Sequence, residues 1–118
     1  MQKKYRLLKN KDFKSILSKG NKIFSKNLVC YYRKDKELLN IKIGVIIPKK
    51  KIKSSPRRKY LKRLFWALNT KNSIIYLPKI KCVFFYRNSF FEDFLRKDIS
   101  FEKIKEEFLN IMFQINDK

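Results

Sequence analysis

Apolar residues recur along this chain with two different periods, and the places where one gives way to the other mark out its elements. Across residues 9–20, Phe13, Ile16 and Leu17 fall on one side of a helix. Asn10 is set to cap its start, Asp12 suits the positive end of the dipole, and Gly20 suits a left-handed stop. From Ile23 to Arg33 the residues turn aromatic and β-branched, and Leu28 to Tyr32 reads as a strand. Lys34-Asp35-Lys36-Glu37 then turns the chain into a second strand, Ile41 to Ile47, which is apolar almost throughout and is ended by Pro48. Ser55 as cap and Pro56 in the first turn open a helix with Leu61, Leu64, Phe65 and Leu68 on one face. Two extended segments, Ser73 to Leu77 and Lys81 to Tyr86, precede a loop. The last helix, from about Phe101 to Ile115, carries apolar residues at Phe101, Ile104, Phe108, Leu109 and Met112, with Ser100 as its cap. No internal repeat or low-complexity linker breaks the pattern, and 118 residues is the length of one domain, 1–118.

Charge changes this picture from a generic small fold to one built for a polyanion. The net charge is +21, from 31 Lys and Arg against 10 Asp and Glu, and self-repulsion of that size opposes a compact state. It is also segregated. Residues 49–63 hold nine Lys and Arg and no acid, no acid occurs between Glu37 and Glu92, and six of the ten acids lie from Glu92 to Glu107. On helical spacing Arg58, Lys59, Lys62 and Arg63 fall opposite the apolar face, together with Trp66, which suits either stacking on a base or packing under a lysine stem. There is no apolar run long enough to span a bilayer and no signal peptide, so nucleic acid is preferred to a membrane surface as the partner.

Chemistry by side chain is narrow. With no His and no paired-Cys motif, a zinc site and a His-based acid–base mechanism are excluded. Cys30 and Cys82 sit in strand-like apolar runs and read as small core hydrophobes, without a disulfide. Asp98, Glu102, Glu106 and Glu107 read as the outward face of the last helix in preference to a metal site. Lys49, Lys50, Lys51, Arg57, Arg58, Lys62 and Arg63 are the residues expected to meet RNA, because long cations neutralise phosphate and release counterions, and Arg adds two-pronged hydrogen bonding.

Several runs together resemble the bacterial ribonuclease P protein family. Tyr5-Arg6-Leu7-Leu8, followed by Lys11-Asp12-Phe13 and then Gly20, is similar to that family's opening. Gly44-Val45 running out into Lys49-Lys50-Lys51 is similar to its third strand. Arg58-Lys59-Tyr60-Leu61-Lys62-Arg63-Leu64 stands in the place of its Arg-Asn-Arg motif, with Lys59 and Tyr60 where Asn and the second Arg are usual. The resemblance implies an α+β fold, an α-β sandwich of αβββαβα order with a central sheet and a left-handed βαβ crossover, which is a rare handedness for such units. It implies a protein subunit that binds ribonuclease P RNA and precursor tRNA in the cytoplasm. The RNA would carry the catalysis with Mg²⁺ that it holds itself, cutting off the 5′ leader, and the protein would be inert alone. It implies, too, that Phe13, Leu17 and Tyr31 line a cleft for the single-stranded leader, where aromatics stack on bases of any identity; a packed core is the other reading of the same residues. Tyr86-Arg87 is a weaker candidate for the same groove. The competing functions are a ribosomal or other structural RNA-binding protein, and a protein-only nuclease or DNA-binding domain, for which no acid cluster or recognition-helix pattern is visible.

Overall fold

The computed structural model describes residues 5–7, 9–68, 77–95 and 100–116, with side chains omitted for 93–95. Four strands form one sheet: β1 (Asn21–Phe24), β2 (Leu28–Lys34), β3 (Lys42–Ile46) and β4 (Ile80–Tyr86). Their spatial order is β1-β2-β4-β3. β1 and β2 pair antiparallel, as do β2 and β4, while β3 and β4 run parallel. The helices are α1 (Asn10–Lys19), α2 (Ser55–Trp66), α3 (Asn88–Leu95) and α4 (Phe101–Asn116). The parallel pair β3 and β4 needs a crossover, and α2 lies within it.

Alternation along the strands splits the sheet into two unequal faces. Cys30, Tyr32, Ile43, Val45, Cys82, Phe84 and Tyr86 point to the larger core. They meet Leu61 and Phe65 of α2, Leu68 in the turn that follows it, Phe90 and Phe91 of α3, and Ile104, Phe108, Ile111, Met112 and Ile115 of α4. Phe65 is the hub, with ring centroids 5.2 Å from Phe84, 5.8 Å from Phe108 and 6.4 Å from Tyr86, and full burial of each such ring stabilises by about 2–3 kcal/mol. Burial pushes the Tyr86 phenol well above its usual range, and the hydroxyl donates to the Leu61 carbonyl at 3.3 Å. Burial likewise pushes the Cys82 thiol up, and both free cysteines are buried in the core. The other face is thinly covered: Leu7 and Ile16 pack on Val83 of β4, with Phe13, Tyr31, Ile46 and Phe85 half-buried around them.

Several expectations change. Residues 88–95 form a helix where a loop was expected; the aromatic run that hid it packs Phe90 flat against Tyr86, ring centroids 4.0 Å apart. Gly20 is extended (φ −78°, ψ 163°) and supplies no left-handed stop. It is small because a Cβ there would collide with the Ile16 carbonyl oxygen and come within 2.9 Å of the Tyr32 oxygen. Asn10 lies inside α1, with Lys9 in the capping position and no side-chain cap. The α2 cap falls on Ser54, one residue before Ser55. The Ser73 to Leu77 strand rests on residues 73–76, which lie outside the described residues, as do Leu8 and Asp98. Glu107 does not face outward. Its carboxylate accepts from Ser25 Oγ at 2.5 Å, Asn27 N at 2.7 Å and Asn27 Nδ2 at 2.8 Å, pinning the β1–β2 turn to the last helix.

Candidate nucleic-acid interface

The cationic band begins where β3 ends. Pro48 stops the strand, the Lys51 amide donates back to the Pro48 carbonyl at 3.0 Å, and this turn holds Lys49, Lys50 and Lys51 exposed while Ile52 plugs into the core. Arg58 ties the turn to α2, its guanidinium donating to the carbonyls of Ile52 and Lys53, both at 2.8 Å. It is therefore half-buried and holds the loop, whereas the sequence had placed it among the outward cations. Arg57, Lys59, Lys62 and Arg63 are exposed, and among the described residues neither they nor the three turn lysines form an ion pair. The acids of the tail do not neutralise this surface within the described residues.

Trp66 packs partly into the core against the Phe65 ring at 5.4 Å, under the Arg6 guanidinium, 5.0 Å from its centroid. Arg6 arrives because the N-terminal segment joins the outer edge of β3, with the Leu7 amide donating to the Ile43 carbonyl at 2.8 Å. Arginine thus fills the role that the sequence had left to a base or a lysine stem. Nothing in the spacing pointed to Arg6, because the contact spans sixty positions of chain.

On the opposite face, α1 sits across the sheet. Asp12 pairs with Lys81 at 3.3 Å, Arg33 donates to Ser15 Oγ at 2.8 Å, and Ile16 is buried beneath. Phe13 projects over Gly44, where an added Cβ would lie 2.6 Å from its ring. Beside it the sheet is left open, and Tyr31, Val29, Phe85 and Ile46 make a half-buried floor in which Tyr31 and Phe85 meet edge to face at 5.9 Å. Leu17, the neighbour of Phe13 on α1, is exposed at 38%, so it borders this groove or solvent and is not core. Phe13, Leu17 and Tyr31 are thereby brought to one side of the sheet, and the expected RNA-binding cations to the end of β3 and to α2. Tyr86 belongs to the large core, so of the pair Tyr86-Arg87 only Arg87 is open to solvent. Among the described residues no group of three His, Cys, Asp or Glu is placed to hold a metal ion, and no helix is long and apolar enough to cross a membrane.

Comparison with known proteins places this arrangement. The profile of the family Ribonuclease P matches residues 1–116. The ribonuclease P protein component of Mycoplasmopsis pulmonis (strain UAB CTIP) is 33% identical over 111 residues, covering 93% of this chain and 96% of that protein. That of Mycoplasmopsis synoviae (strain 53) is 33% identical over 108 residues, 92% of this chain and 93% of the relative. Among solved structures, the RNase P protein from Thermotoga maritima in complex with 1-(4-fluorophenyl)-2-thiourea superposes with a TM-score of 0.78 at 26% identity, covering 91% of this chain and 96% of that one. The Staphylococcus aureus RNase P protein shares the fold, with a TM-score of 0.72 at 23% identity over 95% and 94% of the two chains.

Proposed function

This chain belongs to the ribonuclease P protein family, and from that premise we propose how its two surfaces divide the work of a protein subunit in tRNA processing. The observation that carries the reading is the cationic band of Lys49–Lys51 and α2, without an ion pair among the described residues, on one side of a sheet whose other side opens as an aromatic-floored groove. Lys49, Lys50, Lys51, Arg57, Lys62 and Arg63 dock on ribonuclease P RNA through its phosphates, with Lys59 and Arg6 alongside. Arg58 acts through them, by shaping the loop that presents the lysines. Phe13, Leu17 and Tyr31 take the single-stranded 5′ leader of precursor tRNA, whose bases stack whatever their sequence. The RNA partner supplies the reacting centre and holds the Mg²⁺, and the protein raises affinity for the leader and neutralises phosphate crowding around the RNA fold. The cytoplasm, where precursor tRNA is made, is where such a subunit works.

Reconstitution tests this directly. With bacterial ribonuclease P RNA and a precursor tRNA at low Mg²⁺, the wild-type chain is expected to stimulate leader removal and the chain alone to cut nothing. Arg57, Lys62 and Arg63 changed together to Ala should abolish stimulation while the fold persists, because all three are exposed. Absence of stimulation by the wild type with its cognate RNA refutes the reading.

A further inference from the structure

A further exposed aromatic lies on an edge strand beside the groove as defined so far. Phe24, at the end of the edge strand β1, is 61% exposed, an unusual position for a phenylalanine that a lone surface apolar residue would explain only if its surroundings were ordinary. They are not. The Arg87 guanidinium lies 5.1 Å from the ring centroid on one side, and Lys22 Nζ lies 5.9 Å from it. The same lysine Nζ lies 5.7 Å from the Tyr31 ring, so one cation bridges the two aromatics. Register agrees. Phe24 pairs with Val29, Val29 with Phe85, and Phe85 with Ile46, a single row across four strands that runs along the groove floor.

The platform is also held in place. Arg87 donates to the Ser25 carbonyl at 2.6 Å, its own amide donates to the Asn27 carbonyl at 2.8 Å, and Ser89 Oγ donates to the Lys26 carbonyl at 2.6 Å. With Glu107 clamping Ser25 and Asn27 from α4, the residues that follow Phe24 are tied to β4, α3 and the last helix. A ring fixed beforehand loses little conformational freedom when a base settles on it. A ring flanked by two exposed cations also offers what a nucleotide presents, a flat π-face next to a phosphate.

We propose that Phe24, with Lys22 and Arg87, is a second stacking platform that carries the single-stranded leader past Tyr31 to the β1 edge, so that leader length is sensed there. This rests on the leader-groove reading above. The test measures affinity of the reconstituted holoenzyme for precursor tRNAs whose leaders are lengthened one nucleotide at a time, by filter binding at fixed salt. Wild type is expected to gain affinity as the leader reaches the edge. Phe24→Ala and Phe24→Leu should lose about five-fold or more of that gain, and Phe24→Trp should keep it, since a base requires a π-face and not merely an apolar one. Thermal melts of each variant accompany the binding, and exposure of the ring predicts little change. If Phe24→Leu keeps the whole gain, stacking at this position is overturned. If Phe24→Ala matches wild type while Phe13→Ala and Tyr31→Ala weaken binding, the platform is overturned and the groove stands. If none of the three matters, the groove reading itself fails.

Discussion

Gly44 and Phe13 share one space, and which of them is larger decides whether the groove has a wall. A methyl group at position 44 collides with the far edge of the partly exposed Phe13 ring, which can swing away, and meets Leu7 Cβ at an ordinary 3.5 Å, so Gly44→Ala is expected to cost about 1 kcal/mol in chemical denaturation, the low end for an added methyl. The displaced ring no longer lines the groove, and affinity for a precursor with a leader should fall several-fold while affinity for the RNA subunit alone holds; unchanged leader binding would refute this role for the pair. Gly20 differs, because an added Cβ there meets backbone oxygens that have nowhere to go. Both glycines are visible in the sequence, but their reasons are not. Gly20 looks like a helix stop, and only the closeness of the Ile16 carbonyl oxygen, with the Tyr32 carbonyl approaching from the neighbouring hairpin, shows why a side chain is forbidden. Glu107 was misread for the same cause: helical periodicity reports an element's own faces, and the donors to its carboxylate, Ser25 and Asn27, lie 82 and 80 residues away.

At the scale of elements, α2 opens against its own dipole, although Arg63 in its last turn suits the other end. Its first turn holds no acid and carries Arg57 and Arg58 at the end where partial positive charge already gathers. Arg58 is compensated by the two carbonyls it binds, but Arg57 is exposed and unpaired among the described residues. Arg57→Glu is therefore expected to stabilise the folded chain by about 0.5–1 kcal/mol, read as a raised Tm, while weakening binding to ribonuclease P RNA and flattening its salt dependence. A variant that binds RNA as tightly as wild type would show that the residue is ordinary surface. The amphipathic pattern and cation density of α2, and the apolar runs of β2, β3 and β4, were legible because each is a local periodicity. The helix α3 was not, because Asn88-Ser89 and the short segment after it read as a loop, and the packing of Phe90 on Tyr86 is a contact that local periodicity does not report.

For the molecule as a whole, a charge of +21 with its acids gathered mainly in the last third is a standing cost that polyanions relieve. Sulfate or phosphate at millimolar levels should raise the Tm by several degrees, since about 1 kcal/mol corresponds to roughly 4–8 °C for a domain of this size. Any salt that strengthens burial also raises Tm. The informative comparison is thus with the Arg57, Lys62 and Arg63 to Ala variant, whose gain should be smaller; equal gains would locate the repulsion elsewhere. The order of strands carries a different consequence. Among the described residues β4 is the last strand, yet it lies between β2 and β3, so neither has its central neighbour until residue 86 has been made. During synthesis at about 5–20 residues per second, two raw edges wait for several seconds to be joined. The sheet therefore cannot be built up strand by strand from the start of the chain: its middle strand is the last of the four to arrive.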